Sequence, residues 1–214
     1  MEILLAGEKL LLLPEKAIFW ERKKTLLLSD LHLGKSGHFR KAGIPLPSKI
    51  HEEDLDRLTR ILEKHKIKTI CLLGDLFHST HNNEWKQFEK WRAEHSSLEI
   101  ILIKGNHDLY DAEKMKQHGI EKCFSSLEEP PFFFIHDRED ENKNQLFSIS
   151  GHLHPAIRLV GKGRQSAKLP CFWIGKKFCV LPSFGNFTGS ATIKPAGSDK
   201  VFMIMGDKIL ELKS

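Results

Sequence analysis

No apolar run in this 214-residue sequence approaches the roughly 18 residues a membrane-spanning helix needs, so a helical membrane protein is excluded. The N-terminal MEILLAGEKLLLLP is interrupted by Glu2, Glu8 and Lys9, with neither a basic start nor a small-residue cleavage site. It does not read as a signal peptide, and a cytoplasmic location is expected. The four cysteines (Cys71, Cys123, Cys171, Cys179) form no CxxC pair, and Cys71 lies within an apolar segment. Reduced structural thiols are therefore expected, not a disulfide framework. A hairpin turn at Gly175 and Lys176 would also keep Cys171 from facing Cys179. Internal repeats, low-complexity tracts and long linkers are missing too, so residues 1–214 are expected to form a single domain. The charge imbalance is small: 33 Lys and Arg against 28 Asp and Glu give +5. This excess favours polyanionic partners, although the Lys-rich stretch 60–68 reads as a solvated helix face.

What is present is a recurring pattern. Short apolar runs drop at once into polar residues able to bind a metal: TLLLSDLH (25–32), TICLLGD (69–75), EIILIKGNHD (99–108), PFFFIHD (131–137) and LFSISGHLH (146–154). Runs this short and rich in Leu, Ile or Phe predict strands buried on both faces. Between the first three, Ile50, Leu55, Leu58, Ile61 and Leu62 gather on one helical face behind a candidate cap, Ser48, and Trp85, Phe88 and Trp91 recur at helical spacing. Strand and helix in alternation predict a parallel sheet, with ligands bound beyond the carboxyl ends of its strands. RLV (158–160), CFWIGKKFCVLP (171–182) and VFMIMGDKILEL (201–212) predict hairpins, the last turning at Gly206 and Asp207; LLLLP (10–14) with AIFW (17–20) predicts another. The stretches 161–168 and 189–198 read as surface loops. The expected fold class is α/β, a four-layer sandwich of two packed mixed β-sheets flanked by helices.

The strand ends supply Asp30, His32, Asp75, Asn106, His107, Asp108, His136, His152 and His154. That set exceeds one tetrahedral zinc site and suits two divalent ions sharing a carboxylate. Asp75 is the candidate bridge, because Gly74 before it lets the backbone approach the ions; Gly151 gives similar room before His152 and His154. Imidazole-rich donors favour Mn, Fe or Zn over Mg or Ca. Asp108 is expected to orient His107. Near the first ligands, HFRK (38–41) makes a cationic cluster. Arg40 can grip a phosphate with its planar fork, Lys35 and Lys41 add diffuse attraction, and His78 is placed to face a substrate. His51, His65, His95 and His118, in charged helical surroundings, read as ordinary surface residues.

The ordered motifs D-x-H, G-D, G-N-H-D, an isolated His and G-H-x-H, spanning residues 30–154, resemble the calcineurin-like metallophosphoesterase superfamily. The resemblance implies one ion held by Asp30, His32, Asp75 and His154, a second held by Asp75, Asn106, His136 and His152, and His107 as proton donor to the leaving alkoxide or stabiliser of transition-state charge. DLHLGKSGHFRKAGIPLP (30–47), GDLFHS (74–79) and LPSFGNFTGS (181–190), with AIFW ahead of the first strand, are similar to the ligase-associated DNA-damage-response endonucleases. That branch implies a phosphodiesterase using two ions, Mn²⁺ foremost with Fe or Zn as alternatives. It implies DNA as substrate and functional association with a DNA ligase, helicase and exonuclease. Ser29 before Asp30 and Leu109 after the third motif depart from its pattern without touching a ligand. Two other readings stay open: hydrolysis of a nucleotide-linked small molecule such as a lipid-A precursor, which shares the D-x-H start, and a metal-stabilised binding module without catalysis, against which the intact His107 weighs.

Overall fold

In the computed structural model, residues 1–33, 50–77, 83–108, 111–139, 145–161, 165–186 and 188–212 are described, without the side chains of 50–52, 83, 84 and 112. The candidate cap Ser48 lies outside the described residues. The first sheet contains β1 (Glu2–Leu5), β2 (Glu8–Leu13), β3 (Ala17–Trp20), β4 (Thr25–Leu28), β5 (Thr69–Leu73), β6 (Glu99–Ile103) and β7 (Lys122–Phe124), paired in that order. β1 to β4 run antiparallel; β4 to β7 run parallel. The helices α1 (Ile50–Lys64), α2 (Asn83–Glu94) and α3 (Ala112–Gln117) connect the parallel strands.

The second sheet holds β8 (Leu127–Glu129), β9 (Phe132–Phe134), β10 (Phe147–Ser150), β11 (Pro155–Val160), β12 (Ser166–Ile174), β13 (Phe178–Val180), β14 (Ala191–Thr192), β15 (Lys200–Met205) and β16 (Lys208–Glu211). Its main path is β14-β11-β12-β13-β10-β9-β8, with β15 pairing β12 and β16. Parallel and antiparallel pairs mix in both sheets. All five expected strands form, and so do the expected hairpins. The stretch 189–198, expected to be a loop, instead contributes β14, which pairs with β11 and buries Ile193 beside it. The N-terminal apolar segment makes a hairpin of its own, turning through Ala6 and Gly7, both at positive φ.

The continuous apolar runs are explained by the two cores. Leu26, Leu28, Ile70, Leu72, Ile100 and Leu102 point from β4 to β6 toward the helices. Their alternating neighbours Leu27, Cys71, Leu73 and Ile103 point into the second core with Phe134, Ile149 and Phe172 of the other sheet. All three helices contribute to the first core, through Leu58, Trp85 and Met115 among others. The far face of the second sheet carries a smaller cluster around Ile157, Cys171 and Met203. Trp85 stacks on Phe77, with centroids 3.5 Å apart and planes 10° from parallel. This pins the chain just after Asp75 onto α2.

All four cysteines are free. Cys171 faces Met203 and Cys179 faces Ile174. Burial pushes the thiols of Cys71 and Cys171 up to about 12 and that of Cys179 at least as far. Cys123 is half-buried. At pH 8 one thiol per chain, Cys123, should react with a chromogenic disulfide within minutes and all four after denaturation; two or more fast-reacting thiols in the native protein would contradict this packing.

Candidate metal centre

β4 and β5 end side by side, and their chains stay paired as they bend. The amide N–H of Asp30 donates to Gly74 O at 3.0 Å, His32 to Asp75 O at 2.9 Å and Leu33 to Leu76 O at 2.8 Å. The bends place Asp30 (φ 55°), His32 (φ 49°) and Asp75 (φ 51°) in the left-handed region, and His152 (φ 63°) and His154 (φ 50°) adopt it after β10. Each such residue costs on the order of 1 kcal/mol, and side chains of this kind tolerate it better than branched ones. The crossed hydrogen bonds offset the strain.

Further bonds brace the Asp30 bend from a distance. Ser183 Oγ donates to Asp30 O at 2.8 Å, Phe184 N to Ser29 O at 2.8 Å and Gly185 N to Asp30 O at 3.1 Å. His152 N donates to Asp30 Oδ2 at 3.0 Å, tying the second sheet to the first. The glycines have a role different from the expected one. A Cβ on Gly74 would stand 2.0 Å from Nδ1 of His136, and one on Gly151 would stand 2.5 Å from Oδ2 of Asp30. They make room for the neighbouring donor side chains, not for the ions.

Six of the expected ligands fall into two groups. Asp30, His32 and His154 converge in one, and Asp75, His136 and His152 in the other; within each, the donor atoms lie within 4.8 Å of one another. Asp75 connects them. Its Oδ1 accepts the N–H of His107 at 2.9 Å, while Oδ2 lies 3.8 Å from His32 Nε2 and 3.5 Å from His136 Nε2. One oxygen, Oδ2, faces both groups.

Backbone carbonyls aim the imidazoles inward. His136 Nδ1 bonds Leu73 O and His154 Nδ1 bonds Gly189 O, both at 2.9 Å, which turns each Nε2 toward the carboxylates. His152 presents Nδ1, 3.1 Å from His136 Nε2, while its Nε2 lies 3.6 Å from Asp137 Oδ2.

The centre calls for positive charge. Oδ1 of Asp30 and Nε2 of His154 are buried 3.1 Å apart, and neither has a hydrogen-bond partner; a cation between them satisfies both. Burial alone would raise the Asp75 carboxyl and lower His136. Their mutual hydrogen bond and the surrounding charges win, holding Asp75 below the ordinary carboxylate range and pushing His136 up to about 9. A donor set of imidazoles and carboxylates therefore fits divalent ions.

The remaining expected residues are placed unequally. Asn106 is exposed on the turn after β6. The His107 side chain is 46% exposed, its Nε2 4.0 Å from Asp75 Oδ2 at the rim of the centre. Asp108, expected to orient His107, accepts from Gly105 N at 2.9 Å and Phe77 N at 3.2 Å through its carboxylate. It holds His107 through the backbone. Burial pushes Asp108 up to about 6. Lys35, Arg40, Lys41 and His78 lie outside the described residues. His118 is not a plain surface residue: it packs edge-on against Trp85 and pairs with Glu89 at 2.6 Å. Sequence reasoning missed Asp137, adjacent to a candidate ligand, and the bracing Ser183, whose only signal was its place in LPSFGNFTGS.

The family model of the calcineurin-like phosphoesterases matches residues 23–177. The chain belongs to that family. Among solved structures, this phosphoesterase is similar to the Pseudomonas putida nuclease MPE, with a TM-score of 0.83 and 28% identity over 99% of both chains. Protein AQ665 of Aquifex aeolicus aligns over 61% of this chain and 78% of its own at 14% identity, and its TM-score of 0.41 carries no argument. No sequence among curated proteins matches. The phosphoesterase is a metal-dependent hydrolase, and among its described residues no helix is long and apolar enough to cross a membrane.

His136, raised to about 9, holds a proton at pH 7.5 that an arriving ion must displace. Titrating the metal-free phosphoesterase with Mn²⁺ at that pH should release about one proton per chain or more, with the His136 share fading above pH 9. Uptake without proton release would contradict the arrangement.

Proposed function

We propose that this phosphoesterase is a dinuclear-metal-dependent phosphodiesterase that cuts DNA, acting as an endonuclease in the ligase-associated DNA damage response. The observation that carries the reading is the joint placement of Asp75 Oδ2 between two donor groups and of His107 at their exposed rim. Asp30, His32, Asp75 and His154 would hold one ion, and Asp75, Asn106, His136 and His152 the other. Mn²⁺ is the preferred metal, with Fe or Zn as alternatives. Bound ions supply Lewis-acid polarisation of the phosphoester and hydroxide near neutral pH.

The chain's own groups do the rest. His107 stands at the exposed rim of the centre, where a leaving-group oxygen departs, and delivers it a proton. The Asp75 carboxylate lies 4.0 Å from His107 Nε2. Asp108 keeps the turn fixed through Gly105 N and Phe77 N, which holds the His107 backbone on Asp75 Oδ1. Asp137 beside His152 Nε2 favours presentation of Nδ1 to the second ion.

DNA as substrate is supported by the Pseudomonas putida nuclease, similar over nearly the whole chain, and by the basic balance. The repair context, with a ligase, helicase and exonuclease as functional associates, rests on the sequence resemblance, and the cytoplasm is the location that context calls for. A single domain over residues 1–214 is proposed from its length and from the lack of long linkers in the sequence.

The test uses purified protein with Mn²⁺ and supercoiled plasmid, a bis-aryl phosphate or a mono-aryl phosphate. Plasmid nicking and diester hydrolysis are expected, both abolished by chelator, with His107→Ala about 10² to 10⁴-fold slower. Hydrolysis of the monoester alone, or nicking by His107→Ala at the wild-type rate, would overturn the reading.

A further inference from the structure

A pocket adjoins the candidate centre at His154. It has a volume of about 140 Å³, and His154 forms part of its wall. Sites for drug-sized molecules run to roughly 300–1,000 Å³, so this smaller one suits a group the size of a phosphate. Two elements far apart in sequence supply its cations. Lys16 stands on the turn between β2 and β3, held at φ 68°, and Lys168 projects from β12. Arg57 of α1 reaches Asn186 Oδ1 at 3.0 Å, and Lys16 Nζ approaches the same oxygen at 3.5 Å.

The charge there is poorly balanced. Asp54 pairs with Arg57 at 2.9 Å, but Lys16 has only the amide oxygen of Asn186 and Lys168 only the carbonyl of Ser190, with no carboxylate in ion-pair range of either among the described residues. Burial, reinforced by the charge of Arg57, pushes Lys16 down to about 8. A half-buried ammonium beside a guanidinium is stabilised by an arriving anion. The 188–190 segment also links the two sites, since Gly189 O fixes His154 while Ser190 O fixes Lys168.

We propose that Lys16 and Lys168 form a subsite for a backbone phosphate flanking the scissile one, so that a polynucleotide is gripped on the His154 side of the metal centre. The inference rests on the nuclease reading and adds the direction in which the strand leaves. Such contacts position the backbone without reading bases.

The test compares Lys16→Gln/Lys168→Gln with a control double variant, Lys176→Gln/Lys200→Gln. The control removes two exposed lysines near Phe147, at the opposite end of β10 from the centre. Steady-state kinetics are run on the Mn²⁺-loaded full chain with duplex DNA at several salt concentrations, and with a bis-aryl phosphate that occupies the metal centre alone. The subsite variant should lose its preference for DNA over the small diester about tenfold, mainly through KM. The slope of log kcat/KM against log salt should become shallower by roughly 0.9, the value of one lost phosphate contact. A wild-type slope and preference in the subsite variant, or equal changes in the control, would overturn the inference while leaving the nuclease reading intact. Wild-type protein that hydrolyses the small diester but leaves DNA uncut would overturn both. Should the double variant melt early, Lys168→Gln alone, on an exposed strand position, is expected to show about half the change in slope, and no change would again overturn the proposal.

Discussion

Burying Asp30 and Asp75 beside one another demands positive charge between them, and the architecture around the strand ends answers that demand. Both carboxylates approach the same imidazole, His32 Nε2, at 3.9 and 3.8 Å. Like charges withdrawn from water repel strongly and lose solvation, so such a pair persists only if cations or protons are held close. The hydrogen bond to Asp75 and the charge of Asp30 raise the basicity of His136 despite its burial. The same logic makes proton and metal competitors for one site.

Meeting that demand requires two sheets to deliver side chains to one point. β4, β5 and β6 bring Asp30, His32, Asp75 and the His107 turn; β9 and β10 bring His136, His152 and His154. The left-handed bends turn the donors inward, and hydrogen bonds such as His152 N to Asp30 Oδ2 couple the sheets at the ligands themselves. Strain at the centre is balanced by a rigid, doubly packed core beneath it. The stack of Trp85 on Phe77 and the bonds from Ser183 and Gly185 extend that rigidity outward.

Much of this was legible in the residues. A segment such as TICLLGD is apolar from Ile70 to Leu73 because β5 is covered by helices on one side and by the other sheet on the opposite side. The order of the polar motifs sufficed to nominate the donors. What could not be read is what depends on tertiary hydrogen bonds. No local pattern shows that Ser183 holds Asp30, that Asp108 spends both oxygens on backbone amides, or that Ala191 and Thr192 pair with β11. The roles of Gly74 and Gly151 were misjudged for the same reason: what fills the missing Cβ space is a side chain from another strand. The lysine pocket was equally hidden, because Lys16 and Lys168 meet only once both sheets are assembled.

The central claim is that two ions occupy adjacent positions sharing Asp75. Anomalous diffraction at the manganese edge from Mn²⁺-loaded crystals tests it directly. The account predicts two peaks roughly 3.5 to 4 Å apart, one enclosed by Asp30, His32 and His154 and the other by Asp75, His136 and His152. A single peak at full loading, or peaks away from these side chains, would contradict it.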